Sequence, residues 1–180
     1  MKKTYVLDTN VLIQAPYAVE CFEENTVVLP MTVLEELDNM KKEEGEKGAN
    51  VRKVIRILDA HREKGNLLEG VRMEWGGILR VEKNYRNVEL PPDLPEHKSD
   101  NRILKVCVGL SNDLKEQVIL VTKDILLRIK AQLLGIQAED FGTEQVAVHE
   151  EQYLGRREVF VPEELFKDFK KKGVPVECVY

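Results

Sequence analysis

The sequence predicts an α/β fold built on a central parallel sheet flanked by helices. Three observations carry that reading. Short apolar runs rich in β-branched residues, KTYVLD (3–8), TVVLP (26–30) and VILVT (118–122), read as buried strands. Between them lie longer segments with helical spacing, and strands alternating with helices argue for parallel pairing. Acids stand where the first and third of these runs stop, at Asp8 and Asp124. In an open parallel sheet those carboxyl ends are where ligands bind.

Each element follows in order. The first strand, 3–8, ends on Asp8, and the second is stopped by Pro30. Thr32 is expected to cap a helix from Val33, with Glu35 three positions on as in a capping box. KKEEGEKG (41–48) reads as a charged, mobile loop. A helix is expected from Ala49, because Val51, Val54, Ile55 and Leu58 fall on one face, with Gly65 as its stop. Val71, Met73 and Trp75 alternate into Gly76-Gly77 and then Ile78–Val81, a small β-hairpin. Residues 84–98, with Pro91, Pro92 and Pro95, form a loop before a helix capped by Ser99 and carrying Ile103, Leu104, Val106 and Cys107. After Asp124 a helix runs to Gly135, and Ile136–Ala138 is a last short strand. Residues 1–145 are expected to make the main domain and 146–180, with a helix-like run at 162–169, a C-terminal extension or a connector to a further domain.

Composition narrows the function. Hydrophobic residues make up 43% of the 180, enough for a core and against disorder. No apolar run is long enough to cross a bilayer, so no membrane role is expected. Cys21, Cys107 and Cys178 are scattered, which argues for a reducing cytoplasm and against a zinc site. The net charge of −5 is a poor footprint for a protein that merely coats nucleic acid, but it allows a local basic strip beside an acidic pocket. The phosphate loop of P-loop ATPases is absent from the sequence.

Asp8, Glu36, Asp100 and Asp124 each lie at a strand end or early in a helix, among apolar neighbours. Any one of them alone reads as a helix cap. Glu36, inside its helix between Val33-Leu34 and Leu37, does not. Carboxylates converging on one crevice repel unless they share protons or bind a cation. Oxygen-only donors without His or Cys select Mg2+ or Mn2+.

Four ordered segments carry a family resemblance: VLDTNVL around Asp8, PMTVLEELD around Glu36, SDNRIL at Asp100 and VTKDILLRIKA at Asp124. Over residues 3–145 the chain resembles PIN-domain ribonucleases, and most nearly the PIN domain in front of PhoH-type ATPases. The resemblance implies a three-layer PIN-like fold and a metal-dependent endoribonuclease acting on single-stranded RNA. It carries Asp8, Glu36, Asp100 and Asp124 over as catalytic metal ligands, with Thr9, Asn10 and Thr122 as polar supports. Glu36 is preferred to Glu35 because the family acid directly precedes Leu, and Asp140 is a reserve ligand. Implied partners are RNA, an adjoining ATPase domain or an antitoxin-like protein, with a homo-oligomer also allowed.

Lys41, Lys42, Lys47, Arg52, Lys53 and Arg56 cluster around the charged loop, either as a solvated face or as a strip gripping RNA phosphates. Arg128 and Lys130 lie one turn beyond Asp124, placed to steer a phosphate or to pair with the acids. His61, His97 and His149 match no metal-ligand spacing and read as surface residues, and Trp75 as apolar packing. A haloacid-dehalogenase-type phosphatase would need a second Asp two residues after Asp8, where Asn10 stands. The remaining alternative is a non-catalytic RNA- or partner-binding regulatory module of a PhoH-type ATPase.

Overall fold

The computed structural model describes residues 2–142. The chain divides into two units, Met1–Gly142 and Thr143–Tyr180. The expected extension, its helix-like run at 162–169, and His149 lie outside the described residues. In order, the elements are β1 (Lys3–Leu7), α1 (Thr9–Gln14), a single 3-10 turn (Ala18–Glu20), β2 (Thr26–Pro30), α2 (Met31–Met40) and α3 (Gly45–Arg62). Then follow β3 (Val71–Arg72), β4 (Ile78–Glu82), α4 (Ser99–Asp113), β5 (Gln117–Val121), α5 (Ile125–Leu133) and β6 (Gln137–Glu139).

The six-stranded sheet has the order β3-β4-β2-β1-β5-β6. All pairings are parallel except β3 with β4, the expected hairpin. In β1, β2 and β5 four consecutive residues are buried. Side chains of a strand alternate between faces, so both faces of the central strands are covered, and the sheet is the middle of three layers. Val6, Leu7, Leu29, Ile119 and Leu120 are fully buried there, each worth about 1.5–3 kcal/mol of transfer free energy. Among the described residues no helix is long and apolar enough to cross a membrane.

Several local expectations change. The segment after Asp8 is α1, a helix the apolar run TNVLI concealed. Helix α2 begins at Met31 behind Pro30, so Thr32 is inside it and buried, its hydroxyl donating to Asn84 Oδ1 at 3.5 Å instead of capping. Lys98, not Ser99, stands at the N-cap position of α4. Helix α3 starts at Gly45, four residues before Ala49, which shortens the charged loop. That early start needs Gly48, because a Cβ there would overlap the Glu43 carbonyl oxygen.

His61 is a further correction. It is only 4% exposed, and its Nε2 lies 3.0 Å from Oε1 of the buried Glu20. The buried stripe of α3 runs Val51, Val54, Leu58, His61 and passes over Ile55, which is exposed. His61 is buried because it continues that stripe.

The long connection from β4 to α4 is strapped onto α4. Val88 and Leu94 are buried, Lys105 Nζ donates to Glu96 Oε1 at 2.8 Å, and Asn101 Nδ2 donates to the Pro95 carbonyl at 2.8 Å. The Tyr85 ring lies against Gly109, in the space a Cβ would occupy. Burial there, with Glu82 and Asp113 nearby, pushes its phenol up to about 12. Gly109→Ala should therefore destabilise the protein by about 1–3 kcal/mol through overpacking. Tyr85→Ala in the same chain should recover part of the loss. Urea denaturation reads both, and wild-type stability of Gly109→Ala would refute the close contact.

Candidate active site

Asp8 follows directly from β1. Its backbone N–H donates to the Val121 carbonyl at 3.0 Å, which ties the end of β1 to the end of β5. Its Oδ1 accepts from the Thr9 N–H at 2.8 Å and caps α1, while Oδ2 accepts from the Thr122 hydroxyl at 2.8 Å. Thr122 is fully buried and its Oγ1 also accepts from the Asp124 N–H at 3.1 Å. One hydroxyl thus links two of the acids. Burial pushes the Asp8 carboxyl above the ordinary carboxylate range. The Thr122 and Thr9 hydrogen bonds pull against that shift, and the charges of Asp100 and Asp124 add to it.

Glu36 projects half-buried from α2, between the buried Val33 and Leu37. Burial again raises its ionisation, the Thr9 and Ser99 hydroxyls oppose the shift, and Asp8 and Asp100 reinforce it. Thr9 Oγ1 is buried without a partner at ordinary hydrogen-bond geometry, yet it lies near enough to favour the Glu36 charge. Glu35 is exposed and faces Arg102 at 3.9 Å. Asp124 is exposed and caps α5, its Oδ1 accepting from Leu126 N at 2.9 Å and Leu127 N at 3.3 Å. Asp100 opens α4 and faces Lys130 at 3.7 Å, while Asp140 lies 3.5 Å from Lys123. Asn10 is exposed on α1, and its side chain makes no hydrogen bond among the described residues.

Asp8 feels the charges of Asp100 and Asp124, and Glu36 those of Asp8 and Asp100, but the carboxylates are not drawn around one point. Among the described residues no three His, Cys, Asp or Glu side chains are gathered closely enough to hold one ion. As a donor set they suit a hard divalent cation: oxygen only, mutually repelling, with the orphaned Thr9 hydroxyl beside them. Holding one would require their side chains to close in. Among the described residues Cys21 and Cys107 offer no competing site, since burial pushes their thiols up to about 12.

The basic residues divide into two groups. Arg52 Nη1 donates to the carbonyls of Lys41 and Glu43, at 3.0 and 3.1 Å, and so closes the turn before α3. Lys41 pairs with Asp38 at 2.7 Å and Lys47 with Glu43 at 3.5 Å. Lys42, Lys53 and Arg56 are exposed and form no ion pair among the described residues. Arg128 is half-buried on α5, and its Nε is buried without a hydrogen-bond partner. Lys130 is taken up by Asp100 and Asn101. Two participants escaped the sequence reading. Ser99 acts through a hydroxyl beside Glu36 instead of a cap, and the fully buried Asn101 holds Lys130.

The sequence profile described as "PIN domain" matches residues 5–142. The chain belongs to the PIN-domain family. PIN domains are generally nucleases that use divalent metal ions. This PIN domain is related to proteins named PhoH2. The one from Bacillus subtilis (strain 168) is 46% identical over 179 residues, 96% of this chain and 40% of its own length. Those from Mycolicibacterium smegmatis and Thermobispora bispora are 39% and 37% identical, over 81% and 77% of this chain and 34% and 32% of theirs. The chain therefore spans two fifths or less of the curated relatives it matches. A solved domain of a functionally unknown protein from Methanocaldococcus jannaschii DSM 2661 is 23% identical, with a TM-score of 0.46 over 89% of this chain and 98% of that one.

The raised carboxyls of this PIN domain set a pH dependence. Unfolded, Asp8 and Glu36 ionise in the ordinary carboxylate range; folded, they ionise above it. Between those values the folded state holds more protons, so their contribution to stability falls as pH rises through the window. In chelator, wild type should gain stability relative to Asp8→Asn/Glu36→Gln as pH is lowered from neutrality into the carboxylate range. Urea midpoints across pH measure this, and a relative loss would reverse the assignment.

Proposed function

We propose that this PIN domain is a metal-dependent endoribonuclease that hydrolyses phosphodiester bonds of single-stranded RNA. The observation that carries the reading is that acids from four separate segments lie towards the carboxyl end of a parallel sheet, where the Thr122 hydroxyl joins Asp8 to the Asp124 backbone and the charge of Asp100 acts on both Asp8 and Glu36. Asp8 and Glu36 are the inner, more buried ligands in this reading, and Asp100 and Asp124 the outer ones for Mg2+ or Mn2+. When bound, the ion would lower the pKa of a water and offset charge on the scissile phosphate. The protein's own part is positional. Thr122 and the Thr9 N–H fix both oxygens of Asp8, and the hydroxyls of Thr9 and Ser99 favour the Glu36 charge against the burial that opposes it. No side chain separate from these acids is assigned as a general base.

A second reading is a regulatory module that binds RNA or a partner without cutting. It is favoured by the spread of the acids, no three of which are gathered around one point among the described residues.

A cleavage assay on single-stranded RNA, with Mn2+, Mg2+ or chelator, separates the two. Asp8→Asn, Glu36→Gln, Asp100→Asn and Asp124→Asn keep side-chain volume and should each cost several kcal/mol of transition-state stabilisation, roughly a hundredfold or more in rate. Metal-independent cutting, or wild-type rates in two of the variants, would reject the nuclease site. Binding without any cutting would favour the regulatory reading.

The exposed Lys42, Lys53 and Arg56 are the part of the basic strip best placed to meet phosphates in this proposal. Neutralising two of them should weaken RNA binding whatever its sequence, and should flatten the salt dependence by about 0.7 for each phosphate no longer neutralised. An unchanged slope in a salt-titrated binding assay would return them to a solvated face.

A further inference from the structure

Lys130 lies in the last turn of α5, yet it is directed at the first turn of α4. Its Nζ donates to Asn101 Oδ1 at 3.2 Å and lies 3.7 Å from Asp100 Oδ2. The orientation of the Asn101 amide is fixed independently. Asn101 is fully buried, and its Nδ2 donates to the Pro95 carbonyl at 2.8 Å, so the oxygen end must face Lys130. A buried amide is thus spent on aiming one ammonium at one acid of the crevice.

Asp100 contributes to the raised ionisation of both Asp8 and Glu36, so it is electrically part of the crevice. The structure shows the same carboxylate held by Lys130. We infer that Lys130 is a positioning residue: it is the crevice's built-in counter-ion, holding Asp100 at the rim when no metal is bound and yielding it when a divalent cation enters. This rests on the metal-site reading above. It also supplies a reason why the acids stand apart. One of them already has a cation, and gathering them requires that Asp100 exchange an ammonium for a metal.

Removing the ammonium then has two consequences of the same sign for metal affinity. Asp100 no longer has to leave a partner, and a positive charge near the incoming cation is gone. The pair is partly exposed, 27% at Lys130 and 41% at Asp100, so the gain should be modest. Lys130→Met, which keeps an unbranched apolar stem, should bind Mn2+ about two- to fivefold more tightly, as expected for releasing a partly exposed ion pair. Lys130→Arg should stay near wild type. In chelator, Lys130→Met should lower the melting temperature more in the wild-type background than in the Asp100→Asn background, because the bond to Asn101 is lost in both and the pairing with Asp100 only in the first.

The experiment is a calorimetric Mn2+ titration of the full chain, as wild type, Lys130→Met, Lys130→Arg and Asp8→Asn. Melts in chelator, with Asp100→Asn and the double variant, accompany it. If wild type shows no Mn2+ binding that depends on Asp8, the metal reading falls and the exchange with it. If that binding is present but is unchanged or weaker in Lys130→Met, the Lys130 assignment alone is overturned. A purely structural Lys130 would lower the melt and leave affinity untouched, which is the same overturning result. Tighter binding in Lys130→Met, restored toward wild type by Lys130→Arg, supports the proposal.

Discussion

The register of β1 against β5 is the constraint on which the rest of the site depends. Leu7 pairs with Val121, and the residues just past the two strands, Asp8 and Thr122, are joined by a 2.8 Å hydrogen bond between side chains. These residues are 114 apart in the chain. A one-residue slip would turn every side chain of β1 to the opposite face. It would also carry Asp8 away from both Thr122 and the crevice. The buried runs on both strands make such a slip costly, so the core holds the site in place.

Capping and site chemistry do not exclude one another here. Asp8 caps α1 and Asp124 caps α5, and in each case the helix N–H groups engage a single oxygen, Oδ1. A carboxylate has two oxygens, so a cap can fix its position and leave the other to a neighbour or a ligand. At Asp8 that second oxygen is held by Thr122. Two short connections, from β1 into α1 and from β5 into α5, therefore aim acids with backbone N–H groups rather than flexible side chains.

The electrostatics balance in opposite directions at the two ends of the crevice. At the inner end, Asp8 and Glu36 are penalised by burial and by like charges, with only hydroxyls and one backbone N–H to compensate. At the rim, Asp100 has the ammonium of Lys130 and Asp124 has the start of α5. The inner end is thus where an added positive charge would gain most. The charged turn before α3 is organised differently. Arg52, expected to face RNA or solvent, donates to two carbonyls and lets α3 begin at Gly45.

Much of this protein is determined by local sequence. The apolar runs at β1, β2 and β5 predict buried strands, the Gly-Gly pair predicts the hairpin, and Asp8 and Asp124 stand just past the ends of β1 and β5 as their sequence positions suggest. These features depend on residues close along the chain and on periods of two or 3.6, which a single sequence displays. His61 was read as a surface residue, yet its burial could have been found as the next position of the stripe Val51, Val54, Leu58. Other outcomes belong to tertiary structure alone. Whether the residues after Asp8 continue a strand or turn into α1 depends on what covers them. That Ser99 meets Glu36, that Asn101 is buried, and that Lys130 reaches across to Asp100 depends on α2, α4 and α5 meeting at one end of the sheet. A charge's partner is set by distance in space, and spacing along one chain carries no information about it until the sheet order is known.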